Sequence, residues 1–128
     1  MSLQTPLGRA LGLGSAKSGF GPWWGQRLSA AAMVFLGLWF AVSLIGIGGA
    51  DHATAAAWIA ETPHAILLIL LVATLLYHSC LGVTVVIEDY VHDARALVLL
   101  LVLVKFAHAA LAVAGILSIV KLSLGAQA

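Results

Sequence analysis

The chain has 128 residues, of which 62% are hydrophobic and 9% charged, and its formal net charge is only +1. With a mean hydropathy of +1.10, that balance excludes an ordinary soluble domain and offers no basic patch suited to nucleic acid. A single cysteine, Cys80, excludes an internal disulfide and any multi-cysteine zinc or iron–sulfur site made by this chain alone.

Three apolar runs, at residues 28–50, 63–87 and 96–120, are each long enough for the ~20 residues that a ~30 Å hydrocarbon layer requires. They predict an all-α fold, a three-helix transmembrane bundle, with residues 1–26 as a head and residues 27–128 as one three-span membrane domain. The head is rich in Gly and Ser and ends in Trp23 and Trp24, aromatic residues that favour the headgroup level. The first apolar run begins too late and runs too long for a secretory signal, and the head lacks the character of a transit peptide. There is no internal repeat and no Gly-rich phosphate loop between a strand and a helix.

The six cations set the orientation. Arg9, Lys17 and Arg27 precede the first run and Arg95 lies between the second and third, whereas residues 51–62 contain acids but no Lys or Arg. By the positive-inside rule the N-terminus is cytoplasmic and the C-terminus periplasmic, as in a multi-pass protein of a bacterial inner membrane. Lys121 alone lies at the far end.

The second run carries most of the chemistry. His64 follows Pro63 at its start, and His78 comes fourteen residues later, roughly 21 Å along nearly the same helix face. An imidazole near the middle of a bilayer requires a hydrogen-bond partner or a metal, and the residues alone leave both open. Gly82, one turn beyond His78, is a position without a side chain, against which a flat macrocycle can lie. Eleven residues after His78, about 16 Å along the axis, the run ends in Asp89 and Tyr90, a carboxylate and a phenol able to relay protons and donate a hydrogen bond. Glu88, His92 and Asp93 read as solvated. In the third run Lys105 and His108 share the depth of His78; a lysine there needs a carboxylate, a water-filled cavity or a path to snorkel out.

Two segments resemble a known family. The run Gly14-Ser-Ala-Lys-Ser-Gly19 with Trp23-Trp24-Gly-Gln-Arg-Leu-Ser29, and the pattern of His78, Leu81-Gly82 and Asp89-Tyr90, are similar to the D-type membrane anchors of alphaproteobacterial succinate dehydrogenase. The resemblance implies a subunit that catalyses nothing alone but anchors a succinate:quinone oxidoreductase. Its partners would be a C-type membrane anchor, an iron–sulfur subunit lying over the head, a flavoprotein subunit and membrane lipid. It implies His78 as an axial ligand of one haem b, the second ligand being a histidine of the C-type anchor, and Arg27 as a haem-propionate partner. Ubiquinone would be the bound substrate, with Tyr90 bonding a quinone carbonyl and Asp89 organising the site or its proton path; Ser29 is a weaker quinone-site candidate, because in the family the serine that touches quinone most directly belongs to the C-type subunit. Lys105 is not a family signature; its depth makes it a second propionate candidate. His108 competes as the second axial ligand. Two alternatives stay open: a diheme anchor of a fumarate reductase or related menaquinone enzyme, using His64, and an accessory transporter subunit with an intramembrane proton relay.

Overall fold

The computed structural model describes residues 5–12 and 19–125. Residues 14–18 of the head motif, Lys17 among them, lie outside the described residues. In chain order the elements are α1 (Pro6–Ala10), α2 (Phe20–Gly46), α3 (His52–Ala60), α4 (Thr62–Tyr90) and α5 (Ala94–Gly125), with no strand among the described residues. The three long helices contain 27, 29 and 32 residues, about 40, 43 and 48 Å at 1.5 Å per residue. Each exceeds the ~30 Å hydrocarbon core, so each must tilt or project beyond it.

The helix ends follow local chemistry. Asp51 caps α3, its carboxylate accepting from the Thr54 backbone N–H at 2.9 Å. Hydrogen bonding from Thr54, the hydroxyl ahead of the backbone, holds that carboxyl below its ordinary value. A proline in the first turn opens α4, where its missing N–H is not needed. Asp93 ends the three-residue link between α4 and α5 by accepting from Ala96 N–H at 2.8 Å. Gly49, at φ +85°, supplies the left-handed residue in the turn after α2.

The long helices all begin before the apolar runs that predict them, α2 by the most. α2 begins at Phe20, eight residues before the apolar run, so Trp23 and Trp24 sit inside its first turns and stack with Phe20 at 6.4 and 6.3 Å. Polar residues such as Gln26 and Arg27 interrupt the apolar count there but do not interrupt helical hydrogen bonding. The link between the first two spans, which the apolar runs leave unassigned, contains α3, because Asp51 supplies a cap and an Ala-rich run follows.

α4 is the central element: α2 packs on one side of it and α5 on the other, α2 and α5 do not pack on each other, and α3 lies against α4 and α5. Small residues permit the close approaches. A Cβ at Gly25 of α2 would stand 2.5 Å from the Tyr77 hydroxyl, and one at Gly115 of α5 would stand 3.0 Å from Val72 Cγ1. Close backbone approach is how membrane helices gain contact when lipid is as apolar as leucine. Among the described residues only Ser29, Ala65 and Leu68 are buried, whereas Ile45, Phe35 and Phe106 are 81%, 75% and 72% exposed. Such a surface is stable only against lipid or partner helices.

Candidate functional site

The most buried polar side chain lies where α2 crosses α4. Ser29 is 6% exposed, and its hydroxyl donates back to the Gly25 carbonyl one turn earlier at 2.7 Å, with the Gln26 carbonyl at 3.2 Å. Its oxygen stands 3.0 Å from His78 Nδ1. The single hydroxyl hydrogen is committed to a backbone carbonyl, so the oxygen accepts from Nδ1–H. The hydrogen-bond network thereby assigns the tautomer: Nδ1 carries the proton and Nε2 presents its lone pair. The Gln26 amide donates to that lone pair, with Nε2 to Nε2 at 3.2 Å. The Gln26 Oε1 is buried and has no partner.

Local sequence explains this convergence. Gln26 and Ser29 are three residues apart, hence neighbours on one face of an otherwise apolar helix. Gly25 lets α2 come close to Tyr77, and Gly82 leaves room for the amide, since a Cβ there would stand 3.6 Å from Gln26 Nε2. The empty position expected to face a macrocycle therefore faces the Gln26 side chain. Beside the histidine an open groove of ≈ 410 Å³ runs between the two helices, lined by Gly25, Ser29, Ala32, Ala73 and Tyr77 among others.

Arg27 is exposed, seven residues into α2, with its guanidinium carbon 5.8 Å from the centre of the Trp23 ring. The indole face holds the cation without neutralising it, which leaves its N–H donors available for a carboxylate. Lys105 is exposed on α5 and no carboxylate among the described residues pairs with it. His108 donates from Nδ1 to the Val104 carbonyl at 2.8 Å, and its Nε2 lies 3.2 Å from Ser79 Oγ. Ser79 is one residue beyond His78, about 100° around the helix. The structure therefore joins His78 to Ser29 and Gln26 of α2, while His108 bonds toward Ser79 on the α4–α5 side and Lys105, three residues before it on α5, is exposed. No group of three or more His, Cys, Asp or Glu side chains able to hold a metal occurs among the described residues.

At one end of α4, Asp89 and Tyr90 are exposed, Tyr90 at 78%, and the Tyr90 carbonyl accepts from His92 Nδ1 at 3.1 Å. At the other end, His64 is half-buried. Its Nδ1 donates to the Trp58 carbonyl at 2.9 Å and lies 3.4 Å from Glu61 Oε2. The ring stacks on Trp58 at 4.3 Å and lies 6.2 Å from Trp39, itself 5.9 Å from Trp58. Sequence reasoning missed this cluster because Trp58 belongs to α3. It also missed Gln26, which its i,i+3 relation to Ser29 would have revealed.

The sequence matches the family described as "Succinate dehydrogenase/Fumarate reductase transmembrane subunit" over residues 1–120. It is similar to the succinate dehydrogenase hydrophobic membrane anchor subunit of Rickettsia bellii (strain RML369-C), at 36% identity over 98 residues, 76% of this chain and 78% of that one. No solved structure matches.

Proposed function

Because this chain belongs to the succinate dehydrogenase/fumarate reductase transmembrane subunit family, and is thus a multi-pass membrane anchor of the bacterial inner membrane, we propose that His78 is an axial ligand of one b-type haem. The observation that carries this reading is the bond from His78 Nδ1–H to Ser29 Oγ at 3.0 Å. Metal-ligating histidines characteristically donate their second ring N–H to a fixed acceptor, which sets the ring's orientation and raises the basicity of the other nitrogen. Here that other nitrogen is Nε2, an imidazole donor of the type haem iron takes. On the Ser29 side of the same α2–α4 crossing, the groove lined by Gly25, Leu28, Ser29, Ala32, Ala73, Thr74 and Tyr77 leaves apolar space between the two helices.

One imidazole from this chain leaves the second ligand to a histidine of a C-type anchor, so the haem would be shared between two subunits. When bound, the haem supplies a one-electron carrier inside the membrane. Arg27, exposed on α2 next to Gln26, is the propionate partner, since guanidinium binds carboxylates through charge-assisted forks. Lys105 lies on the α5 side and is the weaker candidate. What sets His64 apart is that its ring stacks on Trp58 at 4.3 Å and lies 6.2 Å from Trp39, which supports a structural role at the outer end and favours one haem over two.

The complex would reduce ubiquinone with electrons delivered from a flavoprotein through an iron–sulfur subunit docked at the cytoplasmic face, the face of Arg27, Arg95 and the head. Tyr90, at the exposed cytoplasmic end of α4, donates to a quinone carbonyl, and Asp89 beside it organises the site and its proton path. Ser29 is better suited to His78 than to quinone, because its only hydrogen is given to Gly25 and its oxygen to Nδ1. The test is His78→Ala in the assembled complex. The low-spin haem spectrum should be lost, and an unchanged spectrum would refute the ligand assignment.

A further inference from the structure

Resting on the reading of His78 as a haem ligand, we infer that Gln26 is a positioning residue that holds the ligating nitrogen before haem arrives and yields it to iron. Three observations combine. Gln26 Nε2 lies 3.2 Å from His78 Nε2, the nitrogen freed by the Ser29 bond. Gln26 Oε1 is buried without a partner. Gly82 provides the space in which the amide lies, its absent Cβ 3.6 Å from Gln26 Nε2.

The amide and the imidazole meet in the packed crossing of α2 and α4, where an unpaired buried polar atom is costly. The amide N–H satisfies the imidazole lone pair. Donation from a neutral amide to Nε2 also keeps the proton on Nδ1, so the ring stays in the tautomer that a metal requires. A carboxylate at position 26 would accept instead and draw the proton onto Nε2. Iron and the amide compete for one lone pair, so ligation displaces Gln26. That displacement breaks one hydrogen bond but also releases an acceptor that has none in the present arrangement. The amide is therefore a weak competitor, strong enough to orient the ring and weak enough to leave.

The test uses the whole complex purified from haem-starved cells, with iron protoporphyrin and metal-free protoporphyrin as separate probes. Gln26→Leu removes the competing donor, so iron protoporphyrin should bind roughly 2- to 12-fold more tightly, the equivalent of one net hydrogen bond. Metal-free protoporphyrin, which needs no imidazole lone pair, should bind unchanged. Equal changes for both porphyrins, or no change for either, would overturn the role. Solid-state 15N spectra of histidine-labelled haem-free complex, with the His78 signals assigned by their loss in His78→Ala, give an independent reading. The native complex should show Nδ1 protonated and Nε2 accepting a hydrogen bond, and the leucine variant should move Nε2 toward the unbonded position. Should that variant fail to assemble, the native spectrum decides alone, and a protonated Nε2 would sink the inference. The underlying ligand assignment fails separately, if His78→Ala retains the native haem spectrum.

Discussion

Replacing Ser29 with Ala deletes one oxygen from a site with no substitute for it. Ser29 is 6% exposed, so no solvent enters to replace the hydroxyl, and its 3.0 Å bond is the one recorded for His78 Nδ1. The Gly25 carbonyl keeps its helical partner, so the penalty falls on the imidazole. An unsatisfied buried N–H costs about 1–3 kcal/mol, and loss of such an outer partner typically lowers metal affinity about 10- to 100-fold. In the alanine variant the ring can move its proton to Nε2 and offer it to the Gln26 amide oxygen, which removes the lone pair that iron needs. Haem affinity of the solubilised complex should therefore fall by about 10- to 100-fold, measured by titrating haem into haem-free complex and following the reduced α-band. Ser29→Thr retains the hydroxyl and the back-bond to Gly25 and should keep most of the affinity. Native affinity in a well-assembled Ser29→Ala complex would refute the claim that this hydroxyl sets the tautomer.

Tyr90→Phe should lower quinone-linked turnover by several-fold or more, for loss of a hydrogen bond of about 0.5–1.5 kcal/mol that strengthens as charge develops on the quinone oxygen; dye reduction by the soluble subunits and haem content should hold. Gly25→Ala places a Cβ 2.5 Å from the Tyr77 hydroxyl and 3.3 Å from Leu81 Cδ1, so α2 must shift or Tyr77 must swing out, destabilising the bundle by about 1–3 kcal/mol in detergent unfolding. Adding Tyr77→Phe removes the nearest atom and should recover most of that loss. Trp58→Ala removes ring contacts to His64 at 4.3 Å and Trp39 at 5.9 Å, each worth about 0.5–1.5 kcal/mol; hydrogen exchange in α3 should accelerate while the haem spectrum stays unchanged.

The central position of α4 bears on how one helix serves two neighbours without mixing their chemistry. His78 and Ser79 are adjacent in sequence, yet one bonds across to α2 and the other toward His108 of α5. A helix turns about 100° per residue, so consecutive polar side chains address different partners. The arrangement keeps His108 away from the lone pair of His78 and gives each imidazole its own hydroxyl and, through Gln26 or Val104, its own second contact.

The three spans and their order were legible because an apolar run of sufficient length has one physical outcome in a membrane. His78 was legible as a site because a polar ring stands out where everything around it is apolar. The rotation of each helix was not legible. α2, α4 and α5 are apolar around their whole circumference, so no hydrophobic stripe distinguishes a face against another helix from a face against lipid. Gly82 illustrates the consequence: its spacing from His78 is correct for a bare face, but only the packing reveals that the Gln26 side chain fills it. Polar residues were the remaining guide to rotation, and two of them, Gln26 and Ser29, point the same way at i and i+3. Where a bundle lacks amphipathic stripes, polar side chains sharing a helical face carry the information about which faces meet, and here that pair leads to the histidine.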